Sequence, residues 1–255
     1  MGEPARYLYA VTRGLAPAVL DGVCGQAGER LEMLGVLDLE AVVSTVDLDE
    51  FGEDALHENL EHLDWIERTA RAHDAVVQAC AAAAPTAPMR LATVCLDDQS
   101  VRLRLEEWYD ELAAALDRVA GREEWSVKVF AHPAPTTAVM EPAEPALAGG
   151  AAYLRRKKAA TEERRAAEAR SLRAVEAVDR ELRGISVAAR HLRAQDPRLS
   201  GHAGTMLLNA AYLVEAGDAR RFTELVAELV RTHPGVSIGC DGPWPPYSFA
   251  TLDRS

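Results

Sequence analysis

The residues that could most readily carry out chemistry in this sequence are two histidines in the segment His57-Glu58-Asn59-Leu60-Glu61-His62. Zinc proteases place two histidines four residues apart on a helix, with a glutamate that activates water. Here the histidines are five residues apart, which on a helix would turn the second imidazole about 140° from the first. The spacing therefore predicts no metal site, and no third ligand accompanies the pair.

The other reactive side chains also lack a pattern that would support catalysis. His73 falls on the apolar stripe of a predicted helix, where a core or capping histidine is the ordinary interpretation. The four cysteines are far apart without CxxC spacing, which predicts free, buried thiols. The sequence contains no GxxxxGK[ST], GxGxxG or GxSxG motif. We therefore expect no catalytic residues, no metal and no cofactor.

The charges divide the chain into two unlike halves. Residues 1–122 carry 10 basic and 23 acidic side chains, whereas residues 123–255 carry 18 and 17. An acidic first half repels nucleic acid and anionic membranes. Hydrophobic residues at 48% and charged residues at 27% indicate a globular protein. Without a signal sequence or a long apolar stretch, the protein is expected in the cytoplasm, with neither nucleic acid nor membrane as its partner.

The first half mixes strands and helices, and it is predicted to form an N-terminal α/β domain over residues 1–122. The apolar runs and their periods predict these elements: strands at 6–11, 39–46 and 89–96, one or two helices over 54–83, and one helix over 98–119.

The second half, residues 123–255, is predicted to be a ferredoxin-like domain with a long helix and an extended C-terminal tail. Its predicted elements alternate as strand, helix, strand, strand, helix and strand, the split βαβ order: 125–132, 151–182, 185–192, 205–214, a helix from Phe222, and 236–240. A Pro- and Ala-rich loop or lid is expected at 133–150, and a turn at Asp196-Pro197. The fold class is thus α+β with two domains.

A basic cluster near the start of the long helix is the first candidate binding feature. Arg155, Arg156, Lys157 and Lys158 surround a full helical turn, and no large apolar residue follows before Leu172. A solvated helix face explains the cluster, and so does a docking surface for an acidic partner or for the protein's own acidic first domain.

The aromatic and proline-rich segment Gly242-Pro-Trp-Pro-Pro-Tyr-Ser-Phe249 is the second candidate. Its three prolines predict an extended course rather than a helix. Trp244, Tyr247 and Phe249 are too apolar to lie in water without a reason. They either close a core or form an exposed recognition element for a partner.

This segment resembles the C-terminal signature of the gas vesicle protein F/L family, and other segments match that family in order. They are YLYAV at 7–11, His73-Asp74, MRLATVCLDD at 89–98, SVKVF at 126–130 and GAAYLRRKKA at 150–159. One segment departs from the family, because Arg90-Leu91-Ala92 stands where Arg-Phe-Gly is usual.

The resemblance implies a two-domain accessory protein of gas vesicle assembly. Such a protein would bind the small hydrophobic shell protein and other accessory proteins, without catalysis, in the cytoplasm and at the gas vesicle. Two alternatives remain open from the sequence. A ferredoxin-like domain could act on a small molecule, and aromatic residues on its sheet could stack nucleic-acid bases.

Overall fold

The computed structural model describes residues 2–132, 150–194 and 204–250. Residues 133–149 of the loop or lid predicted at 133–150, and the turn at Asp196-Pro197, lie outside these residues, whereas Gly150 begins a helix. The chain forms two compact units, the first made of residues 2–124 together with 243–250 and the second of residues 125–242. The sequence predicted that the tail belongs with the second domain, whereas the structure groups residues 243–250 with the first.

The first unit is built on an antiparallel sheet with strand order β2-β3-β1-β4, in which β5 also pairs with β1. Its strands are β1 (Pro4–Thr12), β2 (Leu31–Val36), β3 (Leu39–Asp47), β4 (Thr86–Pro88) and β5 (Val94–Cys95). Its helices are α1 (Leu48–Phe51), α2 (Glu53–Asn59), α3 (Leu63–Ala81), α4 (Asp98–Glu107) and α5 (Tyr109–Val119). The tail adds one further helical turn at Tyr247–Ala250, described below.

Three features of the first unit differ from the prediction. The strand expected at 89–96 is two short strands, β4 and β5, with Ala92 between them at φ +61°. The single helix expected at 98–119 breaks at Trp108, which has φ −102° and ψ 11°. The strand β2 was not predicted at all. It forms a hairpin with β3 through the pair Leu37-Asp38.

The core of the first unit is aromatic although the chain is poor in aromatic residues. The rings of Tyr7 and Tyr9 lie side by side on β1, with centroids 4.6 Å apart. Phe51 approaches Tyr7 edge-on at 5.6 Å, and Trp65 packs on Phe51 at 5.5 Å. Such ring pairs add to the free energy gained by burying apolar area. Four of the 14 aromatic residues of the chain thus meet in this one core.

The second unit has the predicted ferredoxin-like arrangement. Its sheet order β7-β8-β6-β9 and its chain order of strand, helix, strand, strand, helix and strand are those of the split βαβ fold. The elements are β6 (Arg122–Ala131), α6 (Gly150–Arg183), β7 (Ala188–His191), β8 (Met206–Glu215), α7 (Ala219–Thr232) and β9 (Val236–Trp244). The first three residues of β6 and the last two of β9 are grouped with the first unit.

The core of this unit lies between the sheet and the two helices. Alternate residues of β6 and β8 face Val178 and Leu182 of α6 and Phe222 of α7. Phe222 packs on Tyr212, with ring centroids 5.8 Å apart. Only the C-terminal third of α6 contributes to this core.

Candidate binding surfaces

The C-terminal segment 243–250, called the tail motif here, is anchored in the first unit. Pro245 and Pro246 are buried, and the amides of Phe249 and Ala250 donate to the carbonyl oxygen of Pro246 at 3.1 and 2.9 Å. A helical turn, α8 (Tyr247–Ala250), therefore follows the prolines. The predicted extended course is wrong for these residues, because a proline constrains its own φ and its missing amide costs nothing at the start of a helix.

Buried polar contacts fix this turn in place. The amide and the hydroxyl of Ser248 donate to the two carboxylate oxygens of buried Glu124 at 2.8 and 2.6 Å. The guanidinium of Arg118 donates to the carbonyl oxygen of Phe249 at 2.9 Å. The hydroxyl of Tyr247 donates to Asp74 at 3.2 Å. Sequence reasoning missed Arg118 and Glu124, since neither residue stands near the tail along the chain.

The three aromatic residues of the tail motif have different environments. Phe249 is 7% exposed and Tyr247 is half-buried, whereas Trp244 is 44% exposed. Burial, and then the neighbouring Asp74, raise the pKa of Tyr247 far above its ordinary value. The tail motif therefore closes part of the core of the first unit, and it leaves one large ring, that of Trp244, in contact with solvent.

The second candidate surface is the N-terminal half of α6. The side chains of residues 153–168 are all exposed, including Arg155, Arg156, Lys157 and Lys158. We call residues 153–170 the exposed segment. Ala, Arg, Lys and Glu have high helix propensity, and Arg164 pairs with Glu168 at 3.1 Å, four residues on. The exposed segment is therefore helical without packing on a core.

The C-terminal part of α6 is held on the sheet by Asp179. This carboxylate accepts a hydrogen bond from the hydroxyl of Tyr212 on β8 at 2.7 Å and pairs with Arg183 at 2.8 Å. His191 on β7 lies 3.1 Å from it. Burial alone would raise the pKa of Asp179, but the hydrogen bonds from Tyr212, Arg183 and His191 together lower it. Asp179 thus fixes the base from which the exposed segment extends.

Replacing this carboxylate by an amide is expected to destabilise the second unit. In Asp179→Asn the ion pair with Arg183 is lost while the side-chain size is kept, and the cost is about 1–3 kcal/mol. Urea denaturation followed by circular dichroism measures it. Glu176→Gln, one turn earlier and exposed, is the matched control. Equal denaturation midpoints for the two variants would show that Asp179 does not anchor the helix.

The histidines and cysteines of the sequence form no metal-binding arrangement in the described ranges, where no group of three His, Cys, Asp or Glu side chains is placed to hold an ion. His57 lies in α2 and His62 precedes α3. His73 is buried, and its Nδ1 lies 3.2 Å from the hydroxyl of Tyr7. Cys80 and Cys95 are buried, but Cys24 is exposed in the loop before β2, which corrects the expectation of buried thiols throughout.

Among the described residues, no helix is both long enough and apolar enough to cross a membrane.

The fold is thus that of an α+β protein with two antiparallel sheets, the second of them ferredoxin-like. Residues 5–251 match the family model of Gas vesicle synthesis protein GvpL/GvpF. Gas vesicle protein L of Streptomyces sp. (strain CB03234) is 42% identical over 251 residues, which cover 97% of this chain and 93% of the relative. The chain belongs to the gas vesicle GvpL/GvpF family, which confirms the resemblance seen in its motifs.

Solved structures of the family share the fold. The crystal structure of the gas vesicle protein GvpF from Anabaena sp. PCC7120 superposes with a TM-score of 0.68 at 18% identity, covering 98% of both chains. GvpF from Microcystis aeruginosa gives a TM-score of 0.64 at 17% identity, over 97% of this chain and 99% of that one. At such low identity these likenesses establish the fold alone.

Proposed function

We propose that this protein is a non-enzymatic accessory factor of gas vesicle assembly in the cytoplasm, which binds the small hydrophobic shell protein and other accessory proteins. The family match over residues 5–251 carries the proposal. The two candidate surfaces support it, because each presents exposed groups that a fold does not need for itself.

The proposal gives the two surfaces different partners. Trp244 ends β9, directly before the buried Pro245-Pro246 pair that leads into the anchored turn, and it is 44% exposed, which suits contact with an apolar partner such as a shell subunit. Arg155, Arg156, Lys157 and Lys158 suit an acidic accessory protein. Tyr247 and Phe249 serve by holding Trp244 in position, since their rings face the first unit.

Co-expression with the major shell protein, followed by pull-down through a tag on this chain, tests the proposal. The wild-type chain is expected to retain the shell protein in the soluble fraction. Trp244→Ala is expected to lower that retention about 30-fold or more, as truncation of a central aromatic contact does. Leu37→Ala, which shortens another exposed apolar side chain of the first unit, is the control and should retain the shell protein.

The basic cluster is tested in the same way with other accessory proteins as bait. Changing its four residues to Gln should weaken capture at low salt and have little effect at high salt, where charges are screened. The control changes Arg190, Arg220, Arg221 and Arg231 to Gln, an equal loss of exposed charge elsewhere in the second unit. Failure of the wild-type chain to retain the shell protein or any accessory protein would overturn the proposal.

A further inference from the structure

An acidic surface lies at the turn between α2 and α3 in the first unit. Residues 47–67 contain nine acidic side chains, and no Lys or Arg occurs between residues 31 and 67. Four exposed carboxylates there form no ion pair within the described part of the chain: Glu53, Asp54, Glu58 and Glu61. We call residues 53–64 the acidic corner.

Two leucines stand exposed in the middle of this acidic corner. Leu60 follows the last residue of α2 and is 48% exposed, and Leu63 begins α3 and is 80% exposed. The two leucines lie on either side of the turn between the helices, and neither is buried in the core. An exposed apolar pair in a segment of unpaired carboxylates is typical of a contact site, since burying it would release water from apolar area.

The exposed segment of α6 carries the opposite combination. Tyr153 and Leu154 are mostly exposed. Lys157 and Lys158, three and four residues on from Leu154, share its face of the helix. Between residues 153 and 170 there are seven basic and three acidic side chains. An exposed apolar pair is thus flanked by cations here, and by carboxylates at the acidic corner.

From this complementarity we infer that the chain associates with a second copy of itself, the exposed segment of one copy docking on the acidic corner of the next. The cations of the exposed segment complement the carboxylates of the acidic corner, and each surface also offers an exposed apolar pair. Both surfaces are present at equal concentration in any sample of the chain. This inference rests on the binding role proposed for the basic cluster and names one acidic partner for it. Because the two surfaces differ, the contact is head-to-tail and can repeat from copy to copy.

Sedimentation analysis of the purified chain alone tests the inference. At low ionic strength the mean mass should rise with protein concentration past that of two chains. It should fall toward one chain as salt increases from about 0.05 to about 0.5 M, since screening removes the attraction between the charges.

Two variants distinguish the head-to-tail contact from any other. The helix variant changes Arg155, Arg156, Lys157 and Lys158 to Gln, and the corner variant carries E53Q, D54N, E58Q and E61Q. Each alone should stay at the mass of one chain. Mixed in equal amounts they should form pairs and nothing larger, because the mixture retains only one competent contact.

Two matched controls remove the same number of charges at exposed positions outside the two surfaces. One carries R190Q, R220Q, R221Q and R231Q, and the other carries E3Q, D21N, E29Q and E106Q, all at exposed positions. Both should assemble like the wild-type chain. Leu63→Ser, which keeps every charge, should weaken assembly about tenfold, the effect of about 1.4 kcal/mol, and unchanged circular dichroism confirms that each variant is folded.

A wild-type chain that stays at the mass of one copy at every concentration and salt would overturn the inference. So would a helix variant that assembles like the wild type, or a mixture of the two variants that forms no pairs. None of these results depends on shell protein. A chain that fails to self-associate but still captures shell protein would sink this inference alone and leave the proposed function standing.

Discussion

Phe249→Ala is expected to destabilise the first unit by about 3–5 kcal/mol, the usual cost of truncating a buried aromatic side chain. Phe249 is 7% exposed, and its turn packs against α5 and β4. The cavity left by the lost ring would also weaken the hydrogen bonds from Ser248 to Glu124 and from Arg118 to the Phe249 carbonyl oxygen. Urea denaturation measures the loss of stability, and hydrogen exchange of the β1 amides assigns it to this unit.

Trp244→Ala is the matched control for that substitution. It removes a larger ring from the same segment, but this ring is 44% exposed, so the free energy of unfolding should fall much less than in Phe249→Ala. The pair separates stability from partner binding, because we expect Phe249→Ala to affect folding and Trp244→Ala to affect capture of the shell protein. If Trp244→Ala proved the more destabilising of the two, our account of the tail motif would be wrong.

Acidification from pH 7 to pH 4 is expected to cost the first unit about 3 kcal/mol through a single residue, His73. Burial lowers the pKa of this imidazole from 6.5 to about 4, against smaller opposing effects of the Met89 backbone and Asp74. Below pH 6.5 the imidazole of His73 is therefore protonated in the unfolded chain, whereas in the folded chain it is protonated only near pH 4 and below. Its contribution to stability is complete above pH 6.5 and declines as the pH falls.

This pH window isolates His73 from the perturbed carboxylates. The pKa values of Asp38, Asp47, Asp97 and Asp179 are lowered from 3.8, so their contributions are lost only as the pH falls below that value. Urea denaturation of the wild type and of His73→Gln at a series of pH values measures the effect. The wild-type curve should decline more steeply between pH 6.5 and 4, and parallel curves would refute the role of His73.

The second unit could be predicted well from the sequence, because its helices and strands have distinct periods. Alternating apolar residues identify β6 and β8, and the apolar stripe beginning at Phe222 identifies α7. Arg, Lys, Ala and Glu predict α6 even over residues 153–168, whose side chains are exposed. Their order alone leads to the ferredoxin-like arrangement.

The elements that were missed in the first unit leave no recognisable local signal in the sequence. The hairpin of β2 and β3 turns at Leu37, which has φ +55° and is exposed. A leucine in that conformation gives none of the Asn-Gly or Asp-Gly signal by which hairpins are recognised. The break at Trp108 likewise has no proline or glycine to mark it. For β4 and β5, pairing with β1 overrides a local pattern that reads as one strand.

The candidate surfaces were predictable as segments but not in their environments. The sequence singles out the basic cluster and the tail motif, whereas only the structure separates Trp244 from Phe249 by burial. The acidic corner can be recognised in part from the sequence, but counting charges over each half of the chain does not reveal it. The absence of Lys and Arg from residue 31 to residue 67 is visible in the sequence, but the exposure of Leu60 and Leu63 is not.

The placement of the tail motif has a consequence for synthesis on the ribosome. The first unit needs residues 243–250, yet the 118 residues of the second unit, 125–242, are translated before them. At about 5–20 residues per second, the ribosome needs roughly 6 to 24 s to pass that stretch. The nascent first unit waits through this interval without Phe249, Ser248 or Trp244, and a prematurely terminated chain never receives them. The first unit is thus completed, and Trp244 becomes available to a partner, only after the tail motif has been translated.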